Sequence, residues 1–332
     1  MKIAITGASG FLGRHVVELL ASTHELRCIS RSGTAPDGAQ GISANVMDVE
    51  ALRGAFEGVD TVIHGAGMVS HSQVDAARLW DVHVTGTENV VQACRDQGVR
   101  RLVHISTSGT VAVSDEPDFV GTEDMMDPLQ TVATWPYYRS KLFAEHVAKE
   151  AAKDGLEVVI LNPSLLLGPG DELLGASTES IRLYLDHGIP FPPPGGVSFV
   201  DVRDVARAVE LALVEGGSSG ARYLLGPGNQ TFFEFYACLA RITGKSAPVA
   251  SLPRRTGRLL RSLPKLGKSK GLGFGATLSR EQLELACHYW YVDDSLARET
   301  LGWEPRDPVR TLEDTVHDIE SRRRSIADRF RG

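Results

Sequence analysis

Tyr137 and Lys141 stand four residues apart in a stretch, Tyr137–Asp154, whose apolar spacing predicts a helix. On a helix that spacing puts both side chains on one face. A free phenol has a pKa of about 10, too high for a good base at neutral pH. A nearby ammonium stabilises the phenolate and lowers that value. The pair therefore reads as an acid/base couple, and the lysine can also hydrogen-bond a ribose. Such chemistry needs a hydroxyl to hold the substrate oxygen. Ser106-Thr-Ser108 supplies candidates after the strand-like run Arg101–Ile105, at the edge where a parallel sheet presents its active site. Tyr138 is adjacent but has Leu142 at i+4, so it lacks the ammonium.

Residues 6–13 read T-G-A-S-G-F-L-G, between the strand-like Lys2–Ile5 and the helical pattern Gly10–Ser22. Gly7, Gly10 and Gly13 permit a tight turn and a close backbone approach, with Ser9, Phe11 and Leu12 between them. The helix start then aims free N–H groups at a pyrophosphate. The next strand, Leu26–Ser30, ends with Ser30 where a carboxylate would bond the ribose hydroxyls, and Arg31 follows. A carboxylate there would repel a 2′-phosphate, whereas a guanidinium binds it. NADP(H) is therefore favoured over NAD(H). Asn45-Val46 is expected to close the third strand beside the adenine. Gly65-Ala66-Gly67, after the fourth strand Thr61–His64, is small enough for a cofactor to lie against the backbone.

Positioning these residues requires strands and helices in alternation. Val158–Leu161 reads as a further strand, and Val49–Phe56 (with Asp48 as N-cap) and Val82–Asp96 read as helices. The pattern predicts an α/β fold, a doubly wound parallel sheet of the Rossmann type with a smaller C-terminal substrate domain. The boundary is drawn at 163: residues 1–163 bind the dinucleotide and 164–332 mainly the substrate. A return to the first sheet is expected at about 197–226, through a strand Val197–Val200, a helix Val202–Val214 and a strand Tyr223–Leu225. Val69, the Leu165–Leu173 stretch and the Ser180–Leu185 helix are expected to line an apolar substrate pocket.

The chain has 332 residues, 42% apolar and 23% charged, which leaves disorder, collagen and coiled coil as poor explanations. A net charge of −7 disfavours nucleic acid as a partner. Cys28, Cys94, Cys238 and Cys287 are widely spaced, without a C-x-x-C pair, which argues against zinc or a disulfide scaffold and fits a reducing compartment. No metal ligand set is expected. With no apolar run long enough to span a bilayer and no signal-peptide pattern, stable membrane insertion is not expected and the location is read as cytoplasmic. Arg254–Lys270 carries seven cations and no acid. It reads either as a solvated loop or as a lid over an anionic substrate or a membrane-surface contact.

The ensemble resembles the extended branch of the short-chain dehydrogenase/reductases, nearest the dihydroflavonol reductase and 3β-hydroxysteroid dehydrogenase group. The resemblance runs through T-G-A-S-G-F-L-G, Gly86-Thr-Glu-Asn89, Thr134-Trp-Pro-Tyr137 with Ser140-Lys141, Asn162-Pro-Ser164, Gly168-Pro-Gly-Asp171, Phe199-Val-Asp-Val-Arg-Asp204 and Leu301-Gly-Trp-Glu-Pro305. Arg27-x-x-x-Arg31 matches the reductases' NADP pattern. The resemblance implies Tyr137 as general acid/base, Lys141 as its modulator and ribose anchor, and Ser108 as the group orienting the carbonyl, with Thr107 as the rival. It places Pro163 at the nicotinamide and implies a homodimer through Val82–Asp96 and Tyr137–Asp154. Three residues depart from the family: His83 stands for an asparagine, Asn45 for an acid and Asp201 for a histidine.

Within that fold the sequence favours hydride transfer between NADPH and a carbonyl or secondary alcohol of a small, hydrophobic substrate. A nucleotide-sugar epimerase would carry an arginine where Gly195-Gly-Val-Ser198 stands, and a dehydratase would carry an acid pair where Gly109-Thr110 stands. A non-catalytic NADP(H) sensor or scaffold is the reading of another class, and loss of Tyr137 or Lys141 would have pointed to it.

Overall fold

In β1 (Lys2–Thr6), Ile3 and Ile5 enter one core and Ala4 another. The same alternation repeats in β2 (Glu25–Ser30), β4 (Thr61–His64), β5 (Arg101–Ile105) and β6 (Glu157–Pro163). Successive strand side chains point to opposite faces, so strands apolar on both faces need helices on both. α1 (Phe11–Leu20) and α8 (Val202–Leu213) cover one face. α2 (Val49–Phe56), α4 (Gly86–Asp96) and α6 (Pro136–Lys153) cover the other. Between the latter lie α3 (Ala76–Trp80) and α5 (Leu129–Val132). The computed structural model describes residues 1–172, 175–214, 217–254 and 280–329.

With β3 (Gln40–Ser43) and β10 (Arg222–Leu225), the main sheet has seven parallel strands in the order β3-β2-β1-β4-β5-β6-β10. The order reverses between β1 and β4, which opens a crevice at their carboxyl ends. Asp48 caps α2, its carboxylate accepting from the Ala51 N–H at 3.0 Å. The third strand is shorter than the sequence suggested. It ends at Ser43, and Asn45 and Val46 lie in the turn beyond. Asn45 makes that turn itself: its side-chain oxygen accepts from the Met47 N–H at 3.1 Å.

The expected strand Val197–Val200 is two strands. β8 (Gly196–Val197) pairs with β11 (Gln230–Thr231) and β12 (Tyr289–Trp290), while β9 (Phe199–Asp201) pairs with β7 (Leu165–Leu167). Ser198 lies between them, its hydroxyl donating to the Gly226 carbonyl at 3.0 Å and its own carbonyl accepting from the Leu165 N–H at 3.1 Å. Of the expected return, α8 and β10 join the main layers, whereas β8 and β9 build small sheets of their own. Those sheets lie beside α7 (Ala176–His187), α9 (Phe232–Thr243) and the helix Pro308–Arg329, around a third core containing Phe199, Phe235 and Leu312. Asp201, at the position of the family's histidine, caps α8 and pairs with Arg203 at 2.7 Å. Among the described residues, no helix is long and apolar enough to cross a membrane.

Candidate active site

α6 carries Tyr137, Lys141 and Glu145 in one stripe, and all three meet the short segment that leaves β5. Pro136 opens the helix at a position where its missing N–H costs nothing. The Tyr137 phenol lies beside the Thr107 side chain, which favours its charged form. The Lys141 ammonium donates to the Ile105 carbonyl at 2.6 Å. The Glu145 carboxylate accepts from Ser106 Oγ at 2.7 Å, Thr110 Oγ1 at 2.8 Å and Asn162 Nδ2 at 2.7 Å. Two of those donors also hold the Thr107 carbonyl, Asn162 at 3.1 Å and Thr110 at 2.8 Å. Glu145 thereby fixes the backbone that presents Thr107. Lys149 and Arg222 pair with its other oxygen at 2.9 and 3.2 Å and hold the fully buried carboxyl below its ordinary pKa despite burial.

It is Thr107 that meets the phenol. Ser108 is 5% exposed and opens the 3₁₀ turn Ser108–Thr110 that Thr107 caps. Burial pushes Tyr137 up to about 12, with the Thr107 side chain pulling the other way. Burial pushes Lys141 down to about 8, opposed by Glu145. The expected lowering of the phenol is therefore reversed: burial raises it. Taking each group out of water favours its neutral form, and Thr107 and Glu145 offset that only in part.

Histidines line the floor. His83 sits in a π turn, Asp81–Thr85, between α3 and α4. Its Nε2 accepts from the Met68 N–H at 3.2 Å and its Nδ1 lies 2.8 Å from Ser140 Oγ. Its ring stands edge-on to Tyr137, centroids 5.7 Å apart. His64 joins Thr6 Oγ1 at 2.7 Å to Thr87 Oγ1 at 3.1 Å, and Thr6 in turn accepts from the Ala66 N–H at 3.2 Å. Burial, then the Lys141 charge, pushes His64 and His83 down to about 3. His104, beside His64 at 5.5 Å, is lowered too, and among the described residues neither of its ring nitrogens has a hydrogen-bond partner.

The glycine turn works by backbone alone. Gly7 has φ of 78°, and a Cβ on it would lie 2.6 Å from the Gly65 carbonyl. A Cβ on Gly13 would come within 2.2 Å of the Gly7 oxygen. α1 starts at Gly10 without a side-chain cap and without an acid in its first turn, so its opening N–H groups are left for an anion. Ser9 is exposed at the tip and Phe11 and Leu12 are half-buried in the first turn. Gly65 and Ala66 hydrogen-bond back to Thr6, and Gly67 leaves room for His83 Nε2, 3.1 Å from where its Cβ would be. These residues fit a dinucleotide: a cradle that side chains would fill, beside an uncapped helix start. A loop crosses the same helix end. Arg14 donates to the Gly170 carbonyl at 2.8 Å, and His15 Nε2 lies 2.9 Å from the Pro169 carbonyl. The Gly168 and Gly170 N–H groups reach Thr315 and Asp318 of the last helix at 2.8 and 3.3 Å.

Arg31 is exposed at the end of β2, among the hydroxyls of Ser30, Ser32 and Thr34. Arg27, its partner in the sequence pattern, is used elsewhere: its guanidinium donates to the Ala55 and Glu57 carbonyls at 3.0 and 2.7 Å. Pro163 is buried at the end of β6, in register with Leu225.

The expected pocket is only partly there. Ile181, Tyr184 and Leu185 are buried in the third core, Val69 is 64% exposed, and Leu173 lies outside the described residues. An aromatic wall stands beside Tyr137 instead. Tyr138 stacks on Trp290 at 4.7 Å, and His71 stands edge-on to Tyr137 at 6.0 Å and stacked on Tyr138 at 6.1 Å. Trp135 backs Trp290 at 5.7 Å. Gly109 leaves room for the Tyr138 ring, which a Cβ would meet at 2.3 Å. No local signal marks Trp290 in the sequence, because it arrives from a remote strand. Of the basic stretch only Arg254 is described, its guanidinium 5.4 Å over the Tyr289 ring; the rest lies outside the described residues.

Residues 3–226 match the NAD dependent epimerase/dehydratase family. The chain is 32% identical over 262 residues to sterol demethylase protein B of Methylococcus capsulatus, covering 77% of this chain and 78% of that one. It is 35% identical over 246 residues to cinnamoyl-CoA reductase 1 of Oryza sativa, covering 67% and 70%. The fold matches the crystal structure of a Bacillus cereus UDP-glucuronic acid 4-epimerase, solved with UDP-glucuronic acid and NAD. There the TM-score is 0.76 over 97% of this chain and 99% of the other, at 20% identity, a likeness of fold alone.

Proposed function

We infer the function from one premise: the chain belongs to the NAD dependent epimerase/dehydratase family, the extended short-chain dehydrogenase/reductases, and is an NAD(P)-dependent oxidoreductase. Within it, the reading is an NADPH-dependent reductase of a carbonyl on a small, hydrophobic substrate, or its reverse on a secondary alcohol. The observation that carries it is the α6 stripe, which sets Tyr137 on Thr107 and Lys141 on Ile105 at the carboxyl edge of the sheet.

When bound, NADPH supplies the hydride for the carbonyl carbon. Thr107 and the Tyr137 phenol hold the carbonyl oxygen, with Ser108 retained in the turn behind. A phenol held at about 12 is protonated across the neutral range, so in the reducing direction it carries the proton that the carbonyl oxygen takes up. Lys141 uses one N–H on Ile105 and has others for the ribose. Gly7, Gly10 and Gly13 take the pyrophosphate, and Arg31 with the Ser30–Thr34 hydroxyls takes the 2′-phosphate. The aromatic wall of Tyr138 and Trp290 favours an apolar or aromatic substrate. A homodimer through α4 and α6 belongs to the same reading.

The test is NADPH oxidation over a panel of ketones and aldehydes. Tyr137→Phe is expected to lower kcat by at least about 1,000-fold while NADPH still binds. Arg31→Ala is expected to weaken NADPH about 10-fold or more and to leave NADH unchanged. Turnover surviving in Tyr137→Phe overturns the mechanism. No turnover on any carbonyl favours the epimerase or binding-protein reading.

A further inference from the structure

We propose that His83 is the positioning residue for Tyr137, its ring bridging the Gly65–Met68 loop and the first turn of α6 through one directed hydrogen-bond chain. The inference rests on Tyr137 being the catalytic acid. Its direction follows from donors and acceptors. The Met68 N–H can only donate, so His83 Nε2 carries no proton. The neutral ring then holds its proton on Nδ1 and gives it to Ser140 Oγ at 2.8 Å. The Ser140 hydroxyl in turn donates to the Tyr137 carbonyl at 2.9 Å. Every group in the chain is satisfied in one sense only, which fixes the tautomer.

The surroundings lock that tautomer in. A second proton on Nε2 would break the Met68 contact and place a cation near Lys141 and beside His64, two of the groups that hold the ring's pKa down. His64 is itself engaged by Thr6 and Thr87, and Thr87 donates to the His83 carbonyl. The π turn puts the ring over Gly67 and edge-on to the Tyr137 phenol. An asparagine at this place reaches about as far as Nδ1, and a glutamine about as far as Nε2. Only the imidazole spans both, so the departure from the family's asparagine adds a second anchor. Through it the loop lining the dinucleotide crevice and the helix bearing the acid share one rigid side chain.

The experiment combines nitrogen NMR of the imidazoles with kinetics of folded variants. In the free protein the His83 ring is expected to remain neutral, protonated on Nδ1, from pH 5 to 9. In His83→Phe, which keeps a ring against Tyr137 and loses both hydrogen bonds, kcat is expected to fall about 10- to 100-fold. The KM for the carbonyl should change far less. Ser140→Ala should cause much of the same fall, and the double variant should be no worse than His83→Phe. A ring that titrates in that range, or carries its proton on Nε2, overturns the proposal. So does wild-type kcat in His83→Phe, or losses that multiply in the double variant. If Tyr137→Phe keeps its turnover, the catalytic reading falls separately, and the nitrogen spectra alone decide whether the bridge exists.

Discussion

The two halves of the crevice are built on opposite principles. The glycine turn around Gly7–Gly13 shapes its site by absence: no side-chain cap, no acid, and no space for a Cβ at Gly7 or Gly13. The α6 stripe shapes its site by side chains, with Tyr137, Lys141 and Glu145 each tied to the Ile105–Thr110 segment. A pyrophosphate needs N–H groups and room, which backbone supplies. Proton transfer to one oxygen needs a fixed donor, which only an over-determined side-chain network supplies. The first half should therefore be intolerant of added atoms, and the second intolerant of altered charge.

The largest effect is expected from Gly13→Ala. The new Cβ meets backbone at 2.2 and 2.7 Å, where nothing flexible can yield. Urea unfolding should show a loss of about 5 kcal/mol or more, with NADPH binding gone. A stable variant that binds NADPH would show that the turn adapts.

Glu145→Gln comes next. The substitution keeps the volume but turns a donor toward Ser106, Thr110 and Asn162, or toward Lys149 and Arg222. Breaking a buried pair of this kind costs about 3 kcal/mol. It also removes the charge that holds Lys141 up, so the ammonium is lost at lower pH, and the alkaline limb of NADPH binding should move down.

The last effect is graded with pH, each step of it small. His64 and His83 are neutral in the fold down to about 3, against an ordinary value near 6.5. Between those values the unfolded chain binds more protons, so stability rises with pH and is lost as pH falls through that window. Thermal unfolding from pH 7 to 4 should show a falling Tm. In a His64→Gln variant the slope should lessen by about one proton. An unchanged slope would place the acid sensitivity elsewhere.

The contrast also explains what the sequence made legible. A turn built from backbone is written locally, so T-G-A-S-G-F-L-G with its flanking strand and helix announced its form. The i, i+4 spacing made the shared face of Tyr137 and Lys141 equally plain. The strands Thr61–His64 and Arg101–Ile105 stand as read, because their runs are apolar on both faces. The side-chain network was not legible, because its members meet only in space. Asn162 and Arg222 reach Glu145 from other strands. Whether Thr107 or Ser108 faces the phenol depends on one residue at a strand end, where side chains alternate sides. Arg27 looked like half of a phosphate site because its anchoring carbonyls, Ala55 and Glu57, lie far along the chain. Val197–Val200 looked like one strand because period-two apolar runs do not record a change of partner.

The loop at Gly168–Gly170 has a temporal consequence. It is held on one side by Arg14 and His15, near the start of the chain, and on the other by Thr315 and Asp318, near its end. During synthesis the loop can be fastened on its second side only once Thr315 and Asp318 have been added, 147 and 148 residues after the glycines they hold.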